Sequence, residues 1–232
     1  MVWLIAVEGI DGSGKGTQSH RLANALQTEG FKVSTISFPR YSATRFGQKI
    51  GAFLNGAYGQ LDQVHPTLVS LLFAGDRLES RADLLNLCAT NDIVICDRYV
   101  ASNIAHQGAK AEGDAREELR TWIEFVEFQL HQMPRPHQTF WLDVPVDLAQ
   151  VWIARKRPRD YTDAVADLQE ADAHYLNQVR DCYAGLAEQD ADWTRIDVVH
   201  QGQPRTEAEI TQQMVAEIRL RMQSETPVQR LA

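Results

Sequence analysis

The segment Val2-Trp3-Leu4-Ile5-Ala6-Val7-Glu8-Gly9-Ile10-Asp11-Gly12-Ser13-Gly14-Lys15-Gly16-Thr17 joins an apolar run of strand character to a glycine-rich turn, and a helical pattern follows. Strand, glycine loop, helix is the order that a phosphate-binding loop requires. In such a loop (Gly9, Ile10, Asp11, Gly12, Ser13, Gly14, Lys15, Gly16, Thr17) the glycines let successive backbone N–H groups point at phosphate oxygens. The helix start adds positive dipole, and Lys15 reaches the outer phosphates of a nucleotide such as ATP. The residue after the lysine, normally a Ser or Thr that holds Mg²⁺, is Gly16 here. Thr17 is the next hydroxyl and becomes the candidate ligand. Asp11 enters the loop as a carboxylate near phosphate, which is tolerable only if it faces a cation or a sugar hydroxyl.

Working outward, apolar β-branched runs alternate with longer segments of helical period, the signature of a parallel sheet covered on both faces. Strands are expected at Val2–Val7, Val33–Phe38, Ile93–Asp97, Thr139–Val144 and Thr194–Val199. Helices are expected at Lys15–Thr28, Arg45–Leu54, Thr67–Ala89, Arg116–His131, Val146–Arg155, Leu168–Glu188 and Thr206–Gln223. With right-handed crossovers the expected fold class is α/β, a doubly wound five-stranded parallel sheet flanked by helices. A single domain over 1–223 is expected. A charged, apolar-poor lid segment lies at about 156–167, and 224–232 reads as a frayed tail.

The 232 residues are 44% hydrophobic and 23% charged, enough for one large domain. No stretch approaches the ~20 apolar residues of a bilayer crossing. The apolar N-terminus lacks a preceding basic region and runs into Glu8, so it reads as a first strand and not as a signal peptide. A net charge of −8 opposes a sequence-independent hold on nucleic acid. Cys88, Cys96 and Cys182 form no C-x-x-C pair, which argues for a reducing, cytoplasmic compartment and against a zinc site. The histidines likewise show no ligand spacing for a transition metal. Of 23 cations only five are Lys, a bias towards the planar fork that grips phosphate esters.

At the end of the third strand stands Asp97-Arg98-Tyr99-Val100-Ala101-Ser102-Asn103, where a sheet's carboxyl edge meets a crevice. An aspartate there orients Mg²⁺ through water, and an arginine grips an anion. Phe73 and Arg77 lie four apart, so a ring and a guanidinium share one helix face.

Together these motifs resemble thymidylate kinases, within the P-loop nucleoside monophosphate kinases. The resemblance runs from Val2 to about Ala187. It is carried by Glu8 to Lys15, Phe38-Pro39-Arg40-Tyr41, Leu72-Phe73-Ala74-Gly75-Asp76-Arg77, Asp97 to Asn103, and Asp167-Leu168-Gln169-Glu170. It implies transfer of the γ-phosphoryl group of MgATP to dTMP, a homodimer, and no nucleic-acid or membrane partner.

Residue by residue, the resemblance implies that Phe73 stacks on thymine, Arg77 donates to its carbonyl, and Asn103 with Ser102 completes the base contacts. Arg98, helped by Arg40 and Tyr41, would hold the acceptor phosphate, with Phe38 and Pro39 as pocket wall. Asp11 would meet the 3′-hydroxyl side of the sugar. Glu170, Asp97, Asp11 and Thr17 are the groups expected around Mg²⁺. Two positions depart from the family pattern. His106 stands where a Tyr or Phe commonly lies against the deoxyribose, with Gln107 beside it, and Gln169 stands where an aromatic is frequent.

Phosphoryl transfer needs alignment and charge neutralisation rather than a strong base. Lys15 and the loop N–H groups serve the donor, and Arg98 serves the acceptor. Some family members carry a basic residue where this chain has Gly12, so Arg155, Arg157 and Arg159 at the lid's entrance are the expected replacements, beside Lys156. Gly-Lys-Gly-Thr also resembles adenylate kinases, where magnesium is still used. An AMP-directed kinase, or a nucleotide-binding regulator without catalysis, therefore stands as the alternative.

Overall fold

A computed structural model describes residues 2–60, 63–154 and 172–224. In chain order the elements are β1 (Trp3–Glu8), α1 (Lys15–Thr28), β2 (Val33–Ser37), α2 (Arg45–Leu54), α3 (Pro66–Glu79), α4 (Arg81–Thr90), β3 (Ile93–Asp97), α5 (Val100–Gly108) and α6 (Gly113–Glu124). A π-helical segment, Phe125–Leu130, continues α6. Then come β4 (Gln138–Asp143), α7 (Val146–Ala154), α8 (Ala173–Gln189), β5 (Trp193–Asp197), β6 (Val199–His200), β7 (Gln203–Pro204) and α9 (Glu207–Ser224).

Five parallel strands order as β2-β3-β1-β4-β5, with Ile5 opposite Ile95 and Val7 opposite Phe140. Every residue of the central strand β1 is buried, as a parallel strand covered on both faces must be. Its alternation feeds two cores. Trp3, Ile5 and Val7 pack with Leu22 and Leu26 of α1, Val179 and Tyr183 of α8, and Met214 of α9. Leu4 and Ala6 pack with Leu84 of α4, Ile104 of α5 and Ile123 of α6. Helices thus cover both faces, and the carboxyl ends of β1 and β3 open into one crevice.

Most expected elements stand where the periodicity puts them, within a residue or two at the ends. The differences have physical causes. The segment Thr67–Ala89 is two helices, because the Ser80 N–H is shared between Asp76 O and Arg77 O, 3.1 Å from each. The halves pack on different neighbours, α3 on α2 and α5, and α4 on β3. The helix expected to end at His131 changes pitch at Phe125, and the short helix α5 was not among the expected elements. A further addition is the β6–β7 hairpin, turned by Gln201 and Gly202, both at positive φ. The lid segment, the residues of Leu168–Glu188 before Asp172, and the expected tail after Ser224 lie outside the described residues. No described helix is long and apolar enough to cross a membrane.

Candidate active site

Between β1 and α1 the chain turns through Gly9, Gly12 and Gly14, all at positive φ, the conformation glycine adopts without strain. Gly12 is also required by closeness: a Cβ there would stand 2.4 Å from the Ala149 carbonyl oxygen of α7. Lys15, 6% exposed, folds back over the loop and donates to the Ile10 carbonyl at 2.7 Å. At Gly16 a Cβ would lie 3.1 Å from Asp97 Oδ2, so the glycine lets the carboxylate at the end of β3 lie against the first turn of α1.

Arg98 follows Asp97 and is held at φ 65, with its N–H donating to Val7 O at 3.0 Å. Its guanidinium donates to Asp11 Oδ1 at 2.5 Å and to Ser102 Oγ at 3.1 Å. Burial works against its charge. The Asp11 carboxylate, followed by Tyr183, Glu8 and Asp97, outweighs that penalty, so the guanidinium is held charged above its ordinary range.

Beneath this pair Glu8, fully buried, accepts from Tyr99 N at 2.7 Å, Ser102 N at 3.2 Å, Ser102 Oγ at 2.6 Å and Tyr183 Oη at 2.9 Å. A carboxylate from β1 thus satisfies the open N–H groups at the start of α5.

The inner face of α5 carries Ser102, Asn103, His106 and Gln107, all buried. His106 has a definite tautomer. The Arg98 Nη1 beside its Nε2 at 3.3 Å can only donate, so Nε2 accepts and Nδ1 carries the proton. That proton goes to Tyr175 Oη at 3.1 Å, while the Tyr175 hydroxyl donates to the His106 carbonyl at 2.9 Å. Burial first, then the charge of Arg98, pushes the His106 pKa down to about 3.

Arg77 and Glu127 form a buried ion pair, 2% and 0% exposed, with both Glu127 oxygens 3.0 Å from Arg77 Nε. Asp76, fully buried, accepts from the Arg40 N–H at 3.1 Å and from the Thr44 hydroxyl, tying the Phe38-Pro39-Arg40 turn to α3. Burial raises its pKa despite these donors.

A cavity of about 460 Å³ joins these parts. From the loop side it is lined by Asp11, Gly12, Gly14, Lys15, Gly16 and Thr17, and at the sheet edge by Asp97 and Arg98. On the far side it meets Phe38, Pro39, Tyr41, Phe73, Arg77, Ser102, Asn103, His106 and Gln107. Two groups on that wall, Asn103 Oδ1 and Gln107 Nε2, are buried without a hydrogen-bond partner.

Of the expected site residues, Gly9, Ile10 and Ser13 of the loop do not line the cavity. Arg40 lines a neighbouring cavity, its guanidinium bonded to Asp83 at 2.6 Å. Arg155, Arg157, Arg159 and Glu170 lie outside the described residues. Sequence reading assigned no role to Glu127, Tyr175 or Tyr183. Glu127 carried one signal, a carboxylate on the same helical face as Leu119 and Ile123.

The family model described as thymidylate kinase matches residues 7–210. The thymidylate kinase of Mycobacterium tuberculosis (strain ATCC 25618 / H37Rv) is 34% identical over 186 residues, covering 80% of this chain and 86% of that protein. A probable thymidylate kinase of Archaeoglobus fulgidus is 33% identical over 187 residues, 80% of this chain and 83% of that one. A solved thymidylate kinase structure from Candida albicans superposes with a TM-score of 0.69 at 25% identity, covering 97% of this chain and 94% of that one. Matched along most of its length in both sequence and fold, the chain belongs to the thymidylate kinase family.

Proposed function

We propose that this chain transfers the γ-phosphoryl group of ATP to dTMP, giving dTDP and ADP, a step towards dTTP. The observation that carries the reading is the continuity of one cavity from the phosphate loop to the unpartnered Asn103 Oδ1. Donor phosphates and an acceptor base are then served from opposite ends of a single space, of a volume suited to small-molecule sites.

At the donor end the loop N–H groups and the α1 N-terminus take the phosphates, and Lys15 exchanges its bond to Ile10 O for phosphate oxygen. At the acceptor end Phe73 faces the base, Arg77 and Asn103 read its edge, and Arg98 holds the monophosphate in line, with Tyr41 on the same wall. An acceptor phosphate oxygen attacks the γ-phosphorus while the bond to the bridging oxygen of ADP breaks. The attacking oxygen is already anionic, so the chain's work is orientation and charge stabilisation. The half-buried Asp11–Arg98 pair places the guanidinium beside the loop without a search through rotamers.

Mg²⁺ fits the residues present. The Asp97 carboxylate lies against the first turn of α1 because Gly16 has no side chain, and the exposed Thr17 hydroxyl is on the same turn. Asp97 and Thr17 would hold the ion directly or through water. Among the described residues no three acidic, His or Cys groups gather, so phosphate oxygens and water would complete its shell. When bound, the ion supplies neutralisation of phosphate charge. Arg155, Arg157 and Arg159 are proposed to add positive charge from the lid, a reading that rests on their clustering in the sequence.

Two copies are proposed to associate through α3 and α6, which pack on each other and leave Leu68, Leu71, Leu78, Trp122 and Phe125 exposed. A cytoplasmic site of action fits the three free cysteines.

ADP release with MgATP, offering dTMP, dUMP, dCMP, dGMP and AMP at matched concentrations, tests the reaction. dTMP is expected to be preferred. dUMP should follow, because one methyl group in a pocket is worth only about 1–3 kcal/mol. Preference for AMP, or no turnover with any acceptor, would overturn the reading.

A further inference from the structure

A carboxylate that the mechanism above leaves unused stands behind the base end of the cavity. Glu127 lies on the π-helical segment Phe125–Leu130, where the His131 N–H bonds Val126 O at 2.9 Å, a step of five residues. Single π turns of this kind recur at functional sites. On this one only Val126 and Glu127 are buried.

Glu127 touches both base-edge residues. Its oxygens accept from Arg77 Nε, 3.0 Å from each, and from Arg77 Nη2, and Oε1 accepts from Asn103 Nδ2 at 3.3 Å. Asn103 Nδ2 also donates to the Ser70 carbonyl at 3.0 Å. A carboxylate and a carbonyl only accept, so the atom facing them must be the amide nitrogen, and Oδ1 is the atom left without a partner. With Nε and Nη2 of Arg77 bound to Glu127, its Nη1 bonds no described residue, and Arg77 and Asn103 both line the cavity.

We propose that Glu127 is a positioning residue that sets the polarity of the base-reading wall, a donor from Arg77 beside an acceptor from Asn103. An N–H next to a C=O, the imide edge of thymine or uracil, matches that order. Cytosine offers a bare ring nitrogen and an amino group there, so it meets acceptor with acceptor and donor with donor. A buried site that leaves such groups unpaired discriminates by far more than the loss of a methyl contact does. The inference rests on the dTMP reading and assigns its specificity to a residue that touches no substrate.

The test is the ratio of kcat/KM for dTMP to that for dCMP in wild type and in Glu127→Gln. The glutamine turns an acceptor into a donor against Arg77 and Asn103. The ratio is expected to fall at least tenfold while the KM for ATP stays within twofold. A purely structural role would lower both acceptors alike, and a ratio within twofold of wild type overturns the proposal. If that variant does not fold, Glu127→Asp is read by the same criterion, since it keeps the charge for Arg77 but withdraws it from Asn103. A wild type that favours another acceptor sinks the dTMP reading and this inference together. A wild type that favours dTMP, with an unchanged ratio in the variant, sinks this inference alone.

Discussion

His106 is 5% exposed and bonded on both ring nitrogens, so protonating it places a second cation against Arg98. Its folded pKa of about 3 lies below the ordinary 6.5, so between those values the unfolded chain binds the proton and the folded chain does not. Stability is therefore unaffected by this group above pH 6.5 and falls as pH drops below it. The loss amounts to about 2 kcal/mol by pH 5. Urea melts of wild type and His106→Gln at pH 7 and pH 5 measure this directly. The stability difference between the two proteins should shift by about 2 kcal/mol in the variant's favour on acidification. A difference that stays constant would mean that His106 takes up its proton near the normal pKa. The sequence placed His106 on the substrate side of the site, but not its partners: Tyr175 lies 69 residues further on.

At the scale of elements, α5 shows what periodicity reads and what it hides. The helix Lys15–Thr28 and the strand Ile93–Asp97 were legible to the residue, because apolar positions and the glycine loop marked them. Helix α5 was not, because it is buried nearly all round and the side towards the cavity is polar. Ser102, Asn103, His106 and Gln107 occupy the positions that would otherwise carry the apolar stripe. That face is held by partners from other elements, Arg98 and Glu8 to Ser102, Ser70 and Glu127 to the Asn103 amide nitrogen and Tyr175 to His106, and its N-terminus is closed by Glu8. Glu8→Gln puts an amide donor among the donors Tyr99 N, Ser102 N and Tyr183 Oη. The cost should be about 2–3 kcal/mol, hydrogen bonds to a charged group being the strong ones, or roughly 5–10 °C in Tm for a chain of this size. The KM for dTMP should rise with it, since Arg98, Ser102 and Asn103 all depend on where α5 starts. A thermal scan that moves by less than 1 °C would show that other contacts hold the helix. The π segment was hidden for a related reason: an α-helical period carries the same apolar residues to His131 and gives no sign of the extra residue in the turn.

Across the whole molecule the sheet order follows from the chain's alternation of elements, and the crevice at the ends of β1 and β3 follows from the sheet order. That is why the four motifs among the described residues, Glu8 to Lys15, Phe38 to Tyr41, Leu72 to Arg77 and Asp97 to Asn103, meet at one cavity. What lies outside that logic is an apolar surface left exposed among the described residues. On α3, Leu68, Leu71 and Leu78 recur at steps of three and seven, 60%, 36% and 45% exposed. Trp122 and Phe125, their rings 6.2 Å apart, stand at the end of the neighbouring α6. Isolated exposed apolar residues need no explanation, but a stripe continued onto a packed neighbour marks an interface. α3 also carries Phe73 and Arg77, so association through it would stiffen the base wall. In light scattering after size exclusion, the 26.2 kDa chain should elute at about twice its mass. Leu71→Glu with Leu78→Glu should bring it to the monomer value and raise the KM for dTMP while leaving that for ATP within about twofold. A wild type that elutes as a monomer at micromolar concentration would leave these leucines as surface alone.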